Sequence, residues 1–235
     1  MTASTVTLEA SSSATQRRPR RTRQAWMVAR RDLAAGVGGR RAAVAVLPLV
    51  AAVLLLAGLG FGAHPVVVEA TAAPLVWLVV LLSAVPLART VAADDAADDC
   101  WDLLRAVVDP TALLAGKLAA QWLLLTAAWA VASLLTAVSQ GVTWPLSSVA
   151  GGILGALGLA AVTTMLGALL LSDQGHGSSL LAVLVLPVGL PALLAGGQLA
   201  VSGVSPTPWL AVLVAYDTVL LAVAWAVFPV MVEGS

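Results

Sequence analysis

From residue 42 onward, long apolar runs alternate with short polar breaks. Six runs stand out: Ala42 to Gly62, Ala70 to Ala88, Thr111 to Val138, Leu146 to Leu171, Ser179 to Val201, and Pro208 to Val232. A helix needs about 20 consecutive, mostly apolar residues to cross a bilayer. The pattern therefore predicts an all-α, polytopic membrane protein with six transmembrane helices. Before the first run the pattern changes. Residues 1 to 16 are rich in Ser, Thr and Ala, and residues 17 to 23 read RRPRRTR. A disordered basic tail over 1–23 is expected there. Residues 24 to 40 then place Trp26, Met27, Leu33 and Val37 against Arg30, Arg31 and Asp32. Such an apolar face opposite a basic one predicts an interfacial amphipathic helix. Gly36, Gly38 and Gly39 end it before a six-helix domain over 41–235.

Composition sharpens this picture. Hydrophobic residues make up 60% of the chain and charged residues 10%, and the mean hydropathy is +0.98. A soluble domain carries roughly 25% charged residues, so this chain cannot cover a water-facing surface. A single cysteine, Cys100, excludes an internal disulfide framework and a multi-cysteine metal site. No apolar core with a cleavage site occurs in residues 1 to 25, so no typical signal peptide is expected. The basic tail would meet anionic lipid headgroups first, and no nucleic-acid partner is expected.

The net charge is zero, but its distribution is informative. Nine arginines precede the first run, none lies between runs one and two, and none of the 12 basic residues follows Lys117. Arg89, Arg105 and Lys117 flank or occupy the segment between runs two and three. Basic residues resist translocation. Both termini and the 89–117 segment are therefore expected to face the cytoplasm, in a cell membrane.

That segment holds six of the chain's 12 acidic residues: Asp94, Asp95, Asp98, Asp99, Asp102 and Asp109. Asp94, Asp98 and Asp102 recur every four residues and share one helical face, with Asp95 and Asp99 beside them. Trp101, Leu104 and Val108 form an apolar stripe next to it, and Arg105 lies among them. Asp109 precedes Pro110, which biases the chain out of helix. A helix over about 92–109 follows, either merely solvated or a docking helix for a cytosolic protein. In the docking case Trp101 and the apolar stripe supply binding energy and the aspartates set register.

Other chemistry is weighed beside this. Asp94-Asp95-Ala96-Ala97-Asp98 reads as DDxxD, a pattern that binds magnesium and a diphosphate in prenyltransferases. Those enzymes need a second acidic cluster, and only the isolated Asp173, Asp217 and Glu233 remain downstream. Gly116-Lys117 is not a nucleotide loop, because Thr111 and Leu118 stand where Gly and Ser/Thr are required. Lys117, two turns into run three, reads as a snorkelling lysine or as the ion-pair partner of an acid in the docking helix. Asp217, beside Tyr216, is the deepest acid; such residues are functional by default, or are simply protonated or hydrogen-bonded. His64 and His176 fall on opposite sides and cannot share a metal or haem iron. No catalytic, cofactor or metal residue is therefore expected, and the chain is not expected to be an enzyme.

The order of several segments resembles the haem exporter protein B (CcmB) family, the permease subunit of the cytochrome c maturation ABC transporter. They are ARRDL (29–33), APLVWLVVLLSAVPLAR (73–89), the Asp-bearing segment, DPTALLAGKLAAQW (109–122) and LAVLVLPVGLP with its paired prolines (181–191). The family usually carries a Glu-Arg and an Asp-Gly pair after span two; Ala88-Arg89 and Asp99-Cys100 stand here. The departure leaves an ABC-2-type exporter of another cargo open. The resemblance implies a permease without its own ATPase, with ATP on a partner ATPase subunit that docks on the 92–109 coupling helix. It also implies a haem-handling membrane protein, a haem chaperone, and pairing as a homodimer or with another permease half. Haem would be cargo of the complex, not a cofactor of this chain.

Overall fold

The computed structural model describes residues 21–38, 48, 50–53, 60, 65–96, 104, 106–172 and 177–233. Among these residues all regular structure is helical. The principal helices are α1 (Arg21–Gly38), α2 (Pro65–Ala96), α3 (Pro110–Gln140), α4 (Leu146–Ser172), α5 (Gly177–Leu199) and α6 (Pro206–Glu233). Ala70–Thr90, Pro110–Gln140, Leu146–Ala168 and Pro206–Val230 are each long and apolar enough to cross a membrane, and Val185–Leu199 is a shorter apolar helix. The first expected span, 42–62, lies mostly outside the described residues, as does the basic tail up to residue 20.

Helix ends follow local chemistry. Asp109 sits in extended conformation before Pro110 and its carboxylate accepts from the Thr111 N–H at 3.0 Å, capping α3. Gly141 closes the same helix in the left-handed conformation, with φ 70°, and donates to the Ala137 carbonyl. α2 is longer than the apolar run predicts. No Gly or Pro interrupts 87–96, so the helix carries on past the membrane-like stretch and includes Asp94 and Asp95. The acidic run therefore begins as the end of α2, not as a separate helix starting near 92.

α4 is the hub, packing on α2, α3, α5 and α6. Its membrane-length window is 61% buried, against 17% for α6, which lies at the periphery. The hub works because its glycines accept aromatic rings. A Cβ on Gly155 would lie 2.2 Å from the Trp77 ring, and one on Gly196 of α5 would meet the same ring at 2.2 Å. Trp77 of α2 is thus clamped between α4 and α5 and is 2% exposed. Spacing of Gly151, Gly155 and Gly158 suggests close helix backbones. Backbone approach is seen at Gly151, near the Gly196 Cα, whereas Gly155 and Gly158 receive the side chains of Trp77, Tyr216 and Asp217. α5 stays helical through Pro187 and Pro191. Between them, the Val188 carbonyl accepts from the Tyr216 hydroxyl at 2.9 Å, which ties α6 to the proline segment.

Candidate functional site

α1 lies along the first turns of α3. Its inner stripe is Gln24, Val28, Ala29 and Asp32, all buried, at the i, i+4, i+5, i+8 spacing of one helical face. Gly116 makes this approach possible: a Cβ there would sit 2.7 Å from the Ala25 carbonyl oxygen and from the Val28 Cβ. The Gly-Lys pair at 116–117 therefore has a structural meaning. Gly116 admits α1, and Lys117, one residue on, meets the acid that α1 carries.

That meeting is the centre of the site. Lys117 Nζ donates to Asp32 Oδ2 at 3.3 Å and to Asp95 Oδ2. Arg31 Nη1 donates to Asp95 Oδ1 at 3.0 Å and stands 3.6 Å from Asp32 Oδ1. Among the described residues, two cations and two carboxylates from α1, the end of α2 and the start of α3 thus meet in one cluster. Lys117, Asp32 and Asp95 are 7%, 3% and 2% exposed, and Arg31 is 35% exposed. Burial pushes the Asp32 carboxyl above its usual range, Lys117 opposes this, and the neighbouring Asp95 adds to it.

Several expectations change. Asp32 and Asp95 do not face water, because an unpaired Lys117 inside an apolar bundle would be costly and the nearest acids turn in to meet it. Lys117 does not snorkel; it takes the ion-pair alternative. Asp95, the second letter of DDxxD, is shared by two cations, which leaves it poorly suited to a magnesium ion. Among the described residues no group of three or more His, Cys, Asp or Glu is placed to hold a metal.

The segment joining α2 to α3 is anchored at its far end as well. Arg21 of α1 reaches Asp109 at 3.2 Å. The Asp109 carboxyl is held below its usual range, first by the Thr111 hydroxyl. Leu104 and Val108 pack inward on Val28, Leu113, Leu114, Ala168 and Phe228. Both are half-buried, so part of each side chain is committed to the bundle, and Trp101, the third member of the expected stripe, lies outside the described residues. Asp98, Asp99, Trp101, Asp102 and Arg105 lie outside the described residues, as do His64, Cys100 and His176. Asp94 lies in the last turns of α2.

Asp217 stands apart from this cluster. It is 4% exposed, and neither carboxylate oxygen has a hydrogen-bond partner among the described residues. Its Oδ1 occupies the notch left by Gly158, 2.6 Å from where a Cβ would be.

A feature not foreseen from the sequence lies toward the opposite end of the bundle. There Trp77, Trp129 and Trp144 wall a cleft that the Ser133 and Ser148 side chains also line. Trp144 is fixed by donating to the Ser133 carbonyl at 2.9 Å. The three rings come from two helices and a turn with no common spacing, so no local pattern announces them.

Residues 23–234 match the family described as CcmB protein. No curated protein and no solved structure matches the chain. Coverage of nearly the whole chain, together with helices of membrane-crossing length, fixes the assignment: this multi-pass membrane protein belongs to the CcmB family, the membrane component of ABC-type haem-export systems.

Proposed function

We propose that this chain is the permease subunit of the cytochrome c maturation ABC transporter and that it couples ATP hydrolysis on a separate subunit to movement of its own helices. The charged end of the bundle faces the cytoplasm, with both termini on that side, in the cell membrane. Two copies, or one copy and another permease half, make up the membrane domain. A haem-handling membrane protein and a haem chaperone act with it, and haem is cargo. The ATPase docks on the segment between α2 and α3.

The observation that carries this reading is the way that segment is held. It leaves α2 directly after the Asp95–Lys117–Asp32 cluster and enters α3 through Asp109, capped and paired with Arg21. A displacement of the segment by an ATPase therefore loads α1, α2 and α3 together. Leu104 and Val108 are half-buried against the bundle, and the residues taken here to meet the ATPase are Trp101, Asp98 and Asp102. The test is co-purification with the ABC ATPase subunit. Trp101→Ala combined with Asp98→Ala and Asp102→Ala is expected to lose the ATPase while the permease stays in the membrane. Undiminished retention would overturn docking at this segment.

A further inference from the structure

The coupling role draws on the charged end of the bundle and makes no use of Asp217. That residue lies near the middle of the Pro206–Val230 stretch, well inside a helix of membrane-crossing length. Its side chain turns to α4, where Oδ1 fills the notch at Gly158. The neighbouring Tyr216 ring covers the same glycine, 2.2 Å from where a Cβ would be, and its hydroxyl donates to the Val188 carbonyl of α5 at 2.9 Å. Two adjacent residues of α6 therefore seat it on α4 and α5 at one level. Elsewhere α6 is lightly held, with most of its membrane-length window facing outward. Motion of α6 against α4 thus depends strongly on what happens at this seat.

Among the described residues nothing there can balance a negative charge. α4 and α5 contain no Asp, Glu, Lys, Arg or His. α3, which also packs on α6, contributes only Lys117, and α6 itself adds Tyr216 and, at its far end, Glu233. Lys117 is engaged with Asp32 and Asp95. Phe228, which packs with Leu113 and Leu114 one turn before Lys117, is about 16 Å along α6 from Asp217. Neither Asp217 oxygen has a hydrogen-bond partner. An ionised carboxylate held there would cost far more than the neutral acid. We propose that Asp217 is a proton-binding site that keys α6 to α4, protonated while it is seated at Gly158 and ionised only when α6 moves away. On leaving the seat the carboxyl O–H bond breaks, the proton passes to water, and the carboxylate is hydrated in the opened gap. Reseating requires the proton back. Separation of α6 from α4 is thereby linked to the release of one proton, and acid favours the closed bundle.

The experiment treats the full chain, with its partner subunits in lipid nanodiscs, with dicyclohexylcarbodiimide. This apolar reagent reacts with protonated carboxyls inside a membrane. The acid proton goes to one nitrogen, the carboxyl oxygen bonds the central carbon, and an acyl shift leaves a stable N-acylurea that mass spectrometry locates. A water-soluble carbodiimide is run in parallel. The expected result at neutral pH is modification of Asp217 several-fold greater by the apolar reagent than by the soluble one. No modification of Asp217 by the apolar reagent, or equal modification by both, would overturn the proton site. The link to helix separation is read from unfolding midpoints of the native chain and of Asp217→Asn, which keeps the shape and cannot ionise. The native midpoint should fall relative to the variant as pH rises above the ordinary carboxylate range, because the closed bundle holds a proton that the opened one releases. A difference between the two that stays constant with pH would overturn the link. Both readouts are independent of ATPase docking, so failure here leaves the coupling proposal standing, and the reverse.

Discussion

Lys117 and Asp95, twenty-two residues apart in sequence, form an ion pair in which both side chains are withdrawn from solvent. The pair closes the end of α2 onto the start of α3, and Asp32 brings α1 into the same contact. Its energetics give the first prediction. Removing one partner of a buried pair leaves the other charge uncompensated, at a cost of about 3–5 kcal/mol. Lys117→Met removes the cation that both carboxylates share, so it should fall at the upper end of that range. Asp95→Asn leaves Lys117 with Asp32 and should fall at the lower end. The double variant should be more stable than Lys117→Met, because Arg31 and Asp32 remain as a neutral pair. Unfolding midpoints in detergent, read as a double-mutant cycle, check this.

Neighbouring glycines of α5 should respond with opposite sign. A Cβ at Gly196 meets the Trp77 ring at 2.2 Å, whereas one at Gly197 has nothing within 4 Å. Gly196→Ala should cost about 1–3 kcal/mol through overpacking. Gly197→Ala should be neutral or stabilise by up to about 1 kcal/mol, the helix-propensity difference between the two residues. Thermal midpoints of the two variants test the clamp on Trp77 without touching the charge cluster.

The cap of α3 gives a pH dependence. The Asp109 carboxyl is held below its ordinary value of 3.8 in the folded chain, chiefly by the Thr111 hydroxyl. A depressed carboxyl adds stability that is present above 3.8 and is lost as pH falls through the folded-state value. Asp109→Ala should remove this acid-side slope and cost roughly 1 kcal/mol at neutral pH, the usual worth of an N-cap. Unfolding midpoints followed from pH 7 downward in both proteins show whether the two curves converge in acid, as expected.

Asp217 separates stability from function. Its carboxyl is buried and neither oxygen has a hydrogen-bond partner among the described residues. A polar group in that state contributes nothing favourable, so Asp217→Leu should leave the unfolding midpoint unchanged or raise it. If haem-export output of the complex nevertheless falls, Asp217 has a functional role. A lower midpoint would instead show that the carboxyl holds α6 in place.

Much of this fold is written in local pattern. Apolar runs mark α2 to α6, and the Asp109–Pro110 step marks the break before α3. The site was legible in part. A single lysine inside an apolar helix requires a counter-charge, and the acidic stretch nearby supplies Asp95. The identity of the second acid was hidden, because Asp32 looks like part of a basic polar face until α1 is laid on Gly116. The four-residue spacing of Asp94, Asp98 and Asp102 predicts one acidic helical face. It could not reveal that Asp95 turns inward, since that follows from α2 continuing past the bilayer-length run. Leu104 and Val108 likewise read as an exposed stripe, and only the position of α1 and Phe228 shows them partly covered. The Trp77 clamp joins Gly155 to Gly196 across two helices and leaves no local signal.

In the function proposed above, the Asp95–Lys117–Asp32 cluster transmits movement of the α2–α3 segment into the helices. Its most direct test is the assembled complex, with ATP hydrolysis and release of haem-loaded chaperone measured side by side. In Lys117→Met the ATPase should stay bound and turn over while release falls at least about tenfold, equivalent to a coupling loss of about 1.4 kcal/mol. Asp95→Asn combined with Lys117→Met should restore part of that release. Native levels of release in Lys117→Met, with hydrolysis unchanged, would show that the cluster does not carry the coupling.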